Sequence, residues 1–170
     1  KLGISRTAAL SAAFAAAARE ATENLAEESA RLRTLRNYLI AAVERTVPEA
    51  VLRGPRDDEE GTRRLPGNAH FTFPGCEGDS LLFLLDLAGV ESSTGSACTA
   101  GVPRPSHVLL AMGLSETEAR GAQRFSLGHT STAEDVDALI DALPEAYERA
   151  KKAGMAGSES SIRTAGTGFS

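Results

Sequence analysis

Ser92-Ser93-Thr94-Gly95-Ser96-Ala97-Cys98-Thr99-Ala100-Gly101-Val102-Pro103-Arg104-Pro105-Ser106-His107 is the stretch on which the reading of this chain turns. It holds Cys98 in a run of small and hydroxylated side chains. Gly95, Gly101, Pro103 and Pro105 exclude a regular helix or strand there. A cysteine that serves packing sits more often inside a periodic apolar segment, as a small buried hydrophobe. Here the small neighbours leave the thiol uncovered, and little in 94–104 can anchor a core. The pattern predicts a movable loop, hinged nearer Gly95 than the two prolines.

Outward from this loop the elements are short. Ser80 to Ala88 is apolar nearly all round, which predicts a deeply buried helix capped by Asp79 and closed by Gly89. Val90 to Ser93 reads as a short strand entering the loop. Pro105 and Ser106 open a helix that runs to Met112 and stops at Gly113. Ser115-Glu116-Thr117-Glu118 is a capping-box pattern for another short helix. Ala122 to Leu127 reads as a strand. Upstream, Asn68 to Phe73 alternates, with Ala69, Phe71 and Phe73 on one side and His70 and Thr72 on the other. Val51-Leu52 is a strand candidate, and the charged, glycine-bearing stretch Arg53 to Arg64 reads as an exposed loop.

The two ends read as helix. Leu10, Phe14, Ala17, Ala21, Leu25, Leu32, Leu35, Leu39 and Val43 recur at steps of three, four or seven, and Pro48 closes the run. A straight helix over Thr7–Val47 would be about 60 Å long at 1.5 Å per residue, more than this chain can cover. It is therefore kinked, or its N-terminal half docks on other protein, with the small side chains of Ala12 to Ala18 packing closely. Thr132 caps a last amphipathic helix from Ala133 to Ala150, with Val136, Leu139, Ile140, Leu143 and Tyr147 inward. The fold class is α+β, a small antiparallel sheet packed against helices, with a long N-terminal helix. Residues 1–7 read as a lead segment, 8–152 as the domain, and 153–170 as a disordered tail.

The 170 residues are 42% apolar and 24% charged with a formal charge of −5, which reads as soluble and globular. An acidic chain with dispersed arginines argues against nucleic acid as a partner. No apolar run approaches the roughly 20 residues of a membrane span, and no signal peptide is visible. Two cysteines are not a disulfide framework, so the cytoplasm is expected. No metal site is expected: Cys76 and Cys98 lie far apart, and His70, His107 and His129 form no paired motif.

Ser-Ser-Thr-Gly-Ser-Ala-Cys-Thr closely resembles the active-site cysteine loop of the pyridoxal-phosphate-dependent cysteine desulfurases, in the long-loop branch of this class-V aminotransferase family. Gln-Arg-Phe-Ser-Leu-Gly at 123–128 and Leu-Pro-Gly-Asn at 65–68 resemble two further blocks, in the same order, and the likeness covers roughly residues 8 to 150. The resemblance implies the small domain of the fold-type I transferase fold, with a large cofactor-binding domain preceding it in a homodimer. It implies conversion of L-cysteine to L-alanine with a persulfide left on Cys98, then transfer to an iron–sulfur scaffold or sulfur-carrier protein. Selenocysteine lyases and sulfinate desulfinases share the fold, but the long loop favours a desulfurase. A non-catalytic domain that binds a partner or accepts sulfur is the reading from another class.

Each residue has its own argument. Cys98 is the catalytic candidate, because persulfide chemistry needs an accessible thiolate on a loop that moves between donor and acceptor. Arg124 projects beside a strand and can hold a carboxylate in a bidentate fork; the resemblance makes this the substrate's α-carboxylate. Asn68, in the Leu-Pro-Gly-Asn block, is a second substrate-binding candidate or simply satisfies a turn. Cys76 could be reactive as a turn cysteine but reads better as structural, and His107 also reads as structural. Pyridoxal phosphate requires a Schiff-base lysine. The only lysines are Lys1, Lys151 and Lys152, at the two ends. The cofactor is therefore expected to be held by the missing large domain, and this chain alone to be inactive.

Overall fold

The structure is a computed structural model that describes residues 6–56, 63–94 and 105–154, with the backbone of the last helix followed to Ala165. The elements in order are α1 (Arg6–Glu23), α2 (Leu25–Thr46), β1 (Val51–Leu52), β2 (Asn68–Thr72), α3 (Gly78–Leu87), α4 (His107–Ala111), α5 (Glu116–Arg120), β3 (Ala122–Ser126) and α6 (Ala133–Ala165). The strands form one antiparallel sheet in the order β1-β2-β3.

The sheet builds its two faces from the strand period of two. Ala69, Phe71 and Phe125 are buried on one face, and Phe73 just beyond β2 joins them. The rings of Phe71, Phe73, Phe125 and Tyr147 stand 6.0–6.4 Å apart in tilted pairs. Leu35, Leu39 and Val43 of α2, Leu81 and Leu85 of α3, and Val136, Leu139 and Leu143 of α6 complete this core. Of the N-terminal helical spacing read from the sequence, Leu35, Leu39 and Val43 form the packing surface, while Leu10, Phe14 and Leu25 are exposed. On the other face, Thr72 and Ala122 are covered by α4 and α5 through a small cluster of Leu109, Ala119 and Ala122.

Polar links fix α2 over the sheet. Arg36 is fully buried, with its guanidinium donating to the Leu65 carbonyl at 3.0 Å and to the Asn37 side-chain oxygen. Arg31 donates to the carbonyls of Gly128, His129 and Ser131, pinning the β3–α6 turn, and pairs with both oxygens of Glu28. Tyr38 donates to Asp137 of α6.

Several expectations change. The N-terminal helix is interrupted at Asn24, and α1 buries no side chain, so Ala12–Ala18 pack against nothing among the described residues. Val47, held off the helical region before Pro48 with φ −128° and ψ 85°, ends α2 as expected. α3 begins earlier than its expected Asp79 cap: Glu77 is the N-cap, without a side-chain hydrogen bond. Gly78 allows this, because a Cβ there would lie 2.8–2.9 Å from the carbonyls of Arg120 and Ala122. Deep burial holds for one side of α3 only, since β3 and α6 cover Leu81 and Leu85 while Phe83 and Leu87 stay exposed. Val90–Ser93 is not a strand; Ser93 alone bridges β3. α6 passes the expected Ala150 and takes the backbone of 153–165, expected as a tail, into the helix. No proline interrupts that stretch, and a glycine costs a helix only about 1 kcal/mol.

Two helix stops, those of α3 and α4, are glycine motifs. Gly89 has φ +79°, the Gly89 N–H donates to the Asp86 carbonyl, and the Val90 N–H reaches back to Leu85. Gly113 closes α4 in the same way. Gly121 differs: a Cβ there would sit 2.4 Å from the Phe73 carbonyl, against which its own carbonyl accepts the Phe73 N–H at 2.8 Å. Gly89→Ala meets no atom within 4 Å and should cost only about 1–2 kcal/mol for its left-handed backbone. Gly121→Ala should cost clearly more, because backbone must move. Urea unfolding of the two variants checks the order; equal losses would refute it.

Candidate functional site

The outer sheet face carries polar side chains from both β2 and β3. In the β2–β3 register Asn68 faces Ser126, His70 faces Arg124 and Thr72 faces Ala122. Arg124 is therefore across from His70 and diagonal to Asn68, about 7–8 Å away for such neighbours. Arg124 and Ser126 are exposed while the inward Phe125 is buried. The backbone N–H and C=O of Arg124 both bond to Ser93, on the side of β3 away from β2. The Ser93 N–H donates to the Arg124 carbonyl at 3.1 Å, and the Arg124 N–H donates to the Ser93 carbonyl at 2.6 Å. The root of the cysteine stretch is tied to this arginine. Cys98 itself, and the predicted mobility of 94–104 beyond Thr94, lie outside the described residues.

Asn68 opens β2 and lines a cleft of about 240 Å³ together with Arg53, Arg64 and His70, walled by Val108 and Met112. His70 is half-buried, with a buried Nε2 that has no hydrogen-bond partner among the described residues. Burial first, then the charges of Arg124, Arg64 and Arg53, push its pKa below the ordinary value, so the ring is neutral at neutral pH. His107 is exposed at the start of α4.

Arg53 and Arg64 were not legible as site residues, since a charged stretch reads as solvated. Arg64 donates to the carbonyls of Arg53, Pro55 and Asn68, clasping the start of β2 to the segment after β1. Arg53 donates to the Thr72 hydroxyl at 2.8 Å and pairs with Glu118 at 3.6 Å. Glu118 is held below the usual carboxylate range chiefly by the Ser115 backbone N–H of the capping box. The sequence signal for the arginines was weak; that for His70 was its alternation with Asn68 and Thr72.

The described lysines do not fit a Schiff base. Lys151 and Lys152 lie on α6, which packs on the core face. The Lys151 ammonium sits 5.2 Å from the Tyr147 ring centre and 3.6 Å from Glu49. Its pKa is raised, first by Tyr147, whereas a reactive amine needs it lowered. Among the described residues no cluster of three or more His, Cys, Asp or Glu could hold a metal ion, and no helix is long and apolar enough to cross a membrane.

Residues 4–139 match the aminotransferase class-V family. The chain belongs to that family. It is 54% identical over 84% of its length to an IscS-like cysteine desulfurase of Mycobacterium tuberculosis, and 44% identical over 78% to the cysteine desulfurase IscS of Clostridium botulinum. It covers 35% and 32% of those proteins, so it spans about a third of the length of the curated relatives it matches. A solved NifS-like protein from Rickettsia africae superposes on 75% of the chain with TM-score 0.61 and 29% identity, the chain covering 31% of that protein. The α+β small-domain fold expected from the sequence agrees with this neighbour.

Of the two cysteines, the structure describes Cys76. Cys76 is buried against the core, with its thiol donating to the Tyr147 carbonyl at 3.7 Å. Burial pushes its pKa up to about 12, which leaves almost no thiolate at neutral pH. Cys76 should resist iodoacetamide at pH 8 in the folded protein and react once urea unfolds it. Peptide mass mapping reads the label, and modification of Cys76 in the folded state would contradict its structural role.

Proposed function

We propose that this chain is the part of a cysteine desulfurase that carries the sulfur-accepting cysteine and the arginine for the substrate's carboxylate. The carrying observation is the Ser93–Arg124 bridge, which roots the Cys98 stretch beside an exposed guanidinium on the open sheet face. Family membership and relatives named cysteine desulfurases support the same reading. Arg124 takes the α-carboxylate of L-cysteine in a charge-assisted fork. Asn68, on the same face, helps orient the substrate. The Cys98 thiolate attacks the substrate's sulfur. A sulfur–sulfur bond forms, the carbon–sulfur bond breaks, and its electron pair stays on carbon, which takes a proton to give L-alanine. The persulfide on Cys98 then passes to an iron–sulfur scaffold or sulfur-carrier protein.

The lysines of this chain do not supply the pyridoxal phosphate anchor, so that cofactor belongs to the rest of the protein. The whole protein acts as a homodimer in the cytoplasm, where a reducing environment keeps Cys98 from forming disulfides.

In the full-length protein, Arg124→Ala should weaken L-cysteine about 10- to 150-fold, the loss of a hydrogen bond to a charged group at roughly 1.5–3 kcal/mol. Cys98→Ser should leave the fold intact and abolish persulfide formation. Steady-state alanine release and persulfide labelling measure both. An unchanged specificity constant for Arg124→Ala, or a persulfide on Cys76, would sink the assignment.

A further inference from the structure

The outward side of α3 is apolar where an exposed helix face is normally polar. Phe83 and Leu87 are 60% and 65% exposed. Beside them lies a groove of about 440 Å³ lined by Asp79, Leu82, Phe83, Asp86, Glu91 and Ser92. Two features give this groove a direction. Asp79, Asp86 and Glu91 are all exposed, and none makes an ion pair or side-chain hydrogen bond among the described residues. An aromatic anchor inside a rim of one charge suits a surface of opposite charge. The groove also ends at Ser92. The Ser92 hydroxyl accepts from the buried Gln123 amide at 2.5 Å, and Ser93 is bonded to β3. This wall is therefore rigid and leads directly into the cysteine stretch, with Thr94 only four positions before Cys98.

We propose that this acid-rimmed groove is the docking surface for a basic, apolar-tipped segment of the protein that receives sulfur from Cys98. The inference rests on the desulfurase reading for the partner's role, not for the groove's chemistry. Lysine or arginine side chains of the partner meet Asp79, Asp86 and Glu91, and an apolar side chain packs on Phe83 and Leu87. The partner is thereby held at the root of the cysteine stretch, on the layer opposite the substrate face. Docking and substrate binding then do not compete for the same surface.

The test uses the full-length protein and, as probe, the iron–sulfur scaffold protein of the same organism. Asp86→Lys with Glu91→Lys should weaken scaffold binding by calorimetry about tenfold, as reversal of two exposed pairs predicts. It should also flatten the dependence of affinity on potassium chloride. Phe83→Ala should weaken binding at least as much. Alanine release with dithiothreitol as the sulfur acceptor should be unchanged in both variants, since none of these residues faces the substrate. Unchanged affinity and salt dependence would overturn the proposal. So would a Phe83→Cys variant that resists maleimide in the free full-length protein, because the groove would then be covered by the protein itself. Absence of alanine release in the wild type would instead defeat the desulfurase reading, while the binding arm still decides the groove.

Discussion

The pairing of Asn68–Thr72 with Ala122–Ser126 is the constraint on which this domain depends. One register sets both faces at once. Phe71 and Phe125 point into the core, and because they do, His70 and Arg124 must stand on the other side. A slip of one residue would bury the arginine and expose the phenylalanine. The position of the Arg124 side chain is therefore enforced by hydrophobic burial, and needs no special interaction of its own.

Much of this was legible because strong periodic signals and packing agree. The alternation of Ala69, Phe71 and Phe73 and the spacing of Leu35, Leu39 and Val43 both mark surfaces that are now core. Gly89 and Gly113 closed the helices they were expected to close. What was not legible depended on partners distant in sequence. Nothing local says that Arg64 will clasp the carbonyl of Arg53, or that Arg36 will be buried against Leu65. The exposed side of α3 was missed for the converse reason. Leu81 and Phe83 are equally apolar, and only the placement of β3 and α6 decides which is covered. Val90–Ser93 failed as a strand because pairing needs a neighbour, and only Ser93 meets one. For the site, the Arg124 face followed from strand alternation, while His70 and the two arginines of its cleft emerged only from the fold.

The contrast between Cys76 and the stretch around Cys98 shows how little the residue type decides. Cys76 sits between the core aromatics and α6, where desolvation suppresses the thiolate and the sulfur behaves as a methyl-sized filler with one weak donor. The neighbours of Cys98 in sequence are glycine, serine, alanine and threonine, all small. The chain thus protects the Cys76 thiol by burial.

The helix α1 gives this domain an unusual thermal character. Among the described residues no side chain of its 18 residues is buried, so its order there draws chiefly on its own backbone. Its composition suits that isolation. Alanine dominates, the residue that loses least on entering a helix. Even so, a free helix of that length is marginal in water. Heating should therefore convert Arg6–Glu23 gradually to coil while the core beyond α2 stays cooperative. Circular dichroism would fall before the near-ultraviolet signal of the Phe73–Tyr147 cluster, a two-stage melt within one continuous chain.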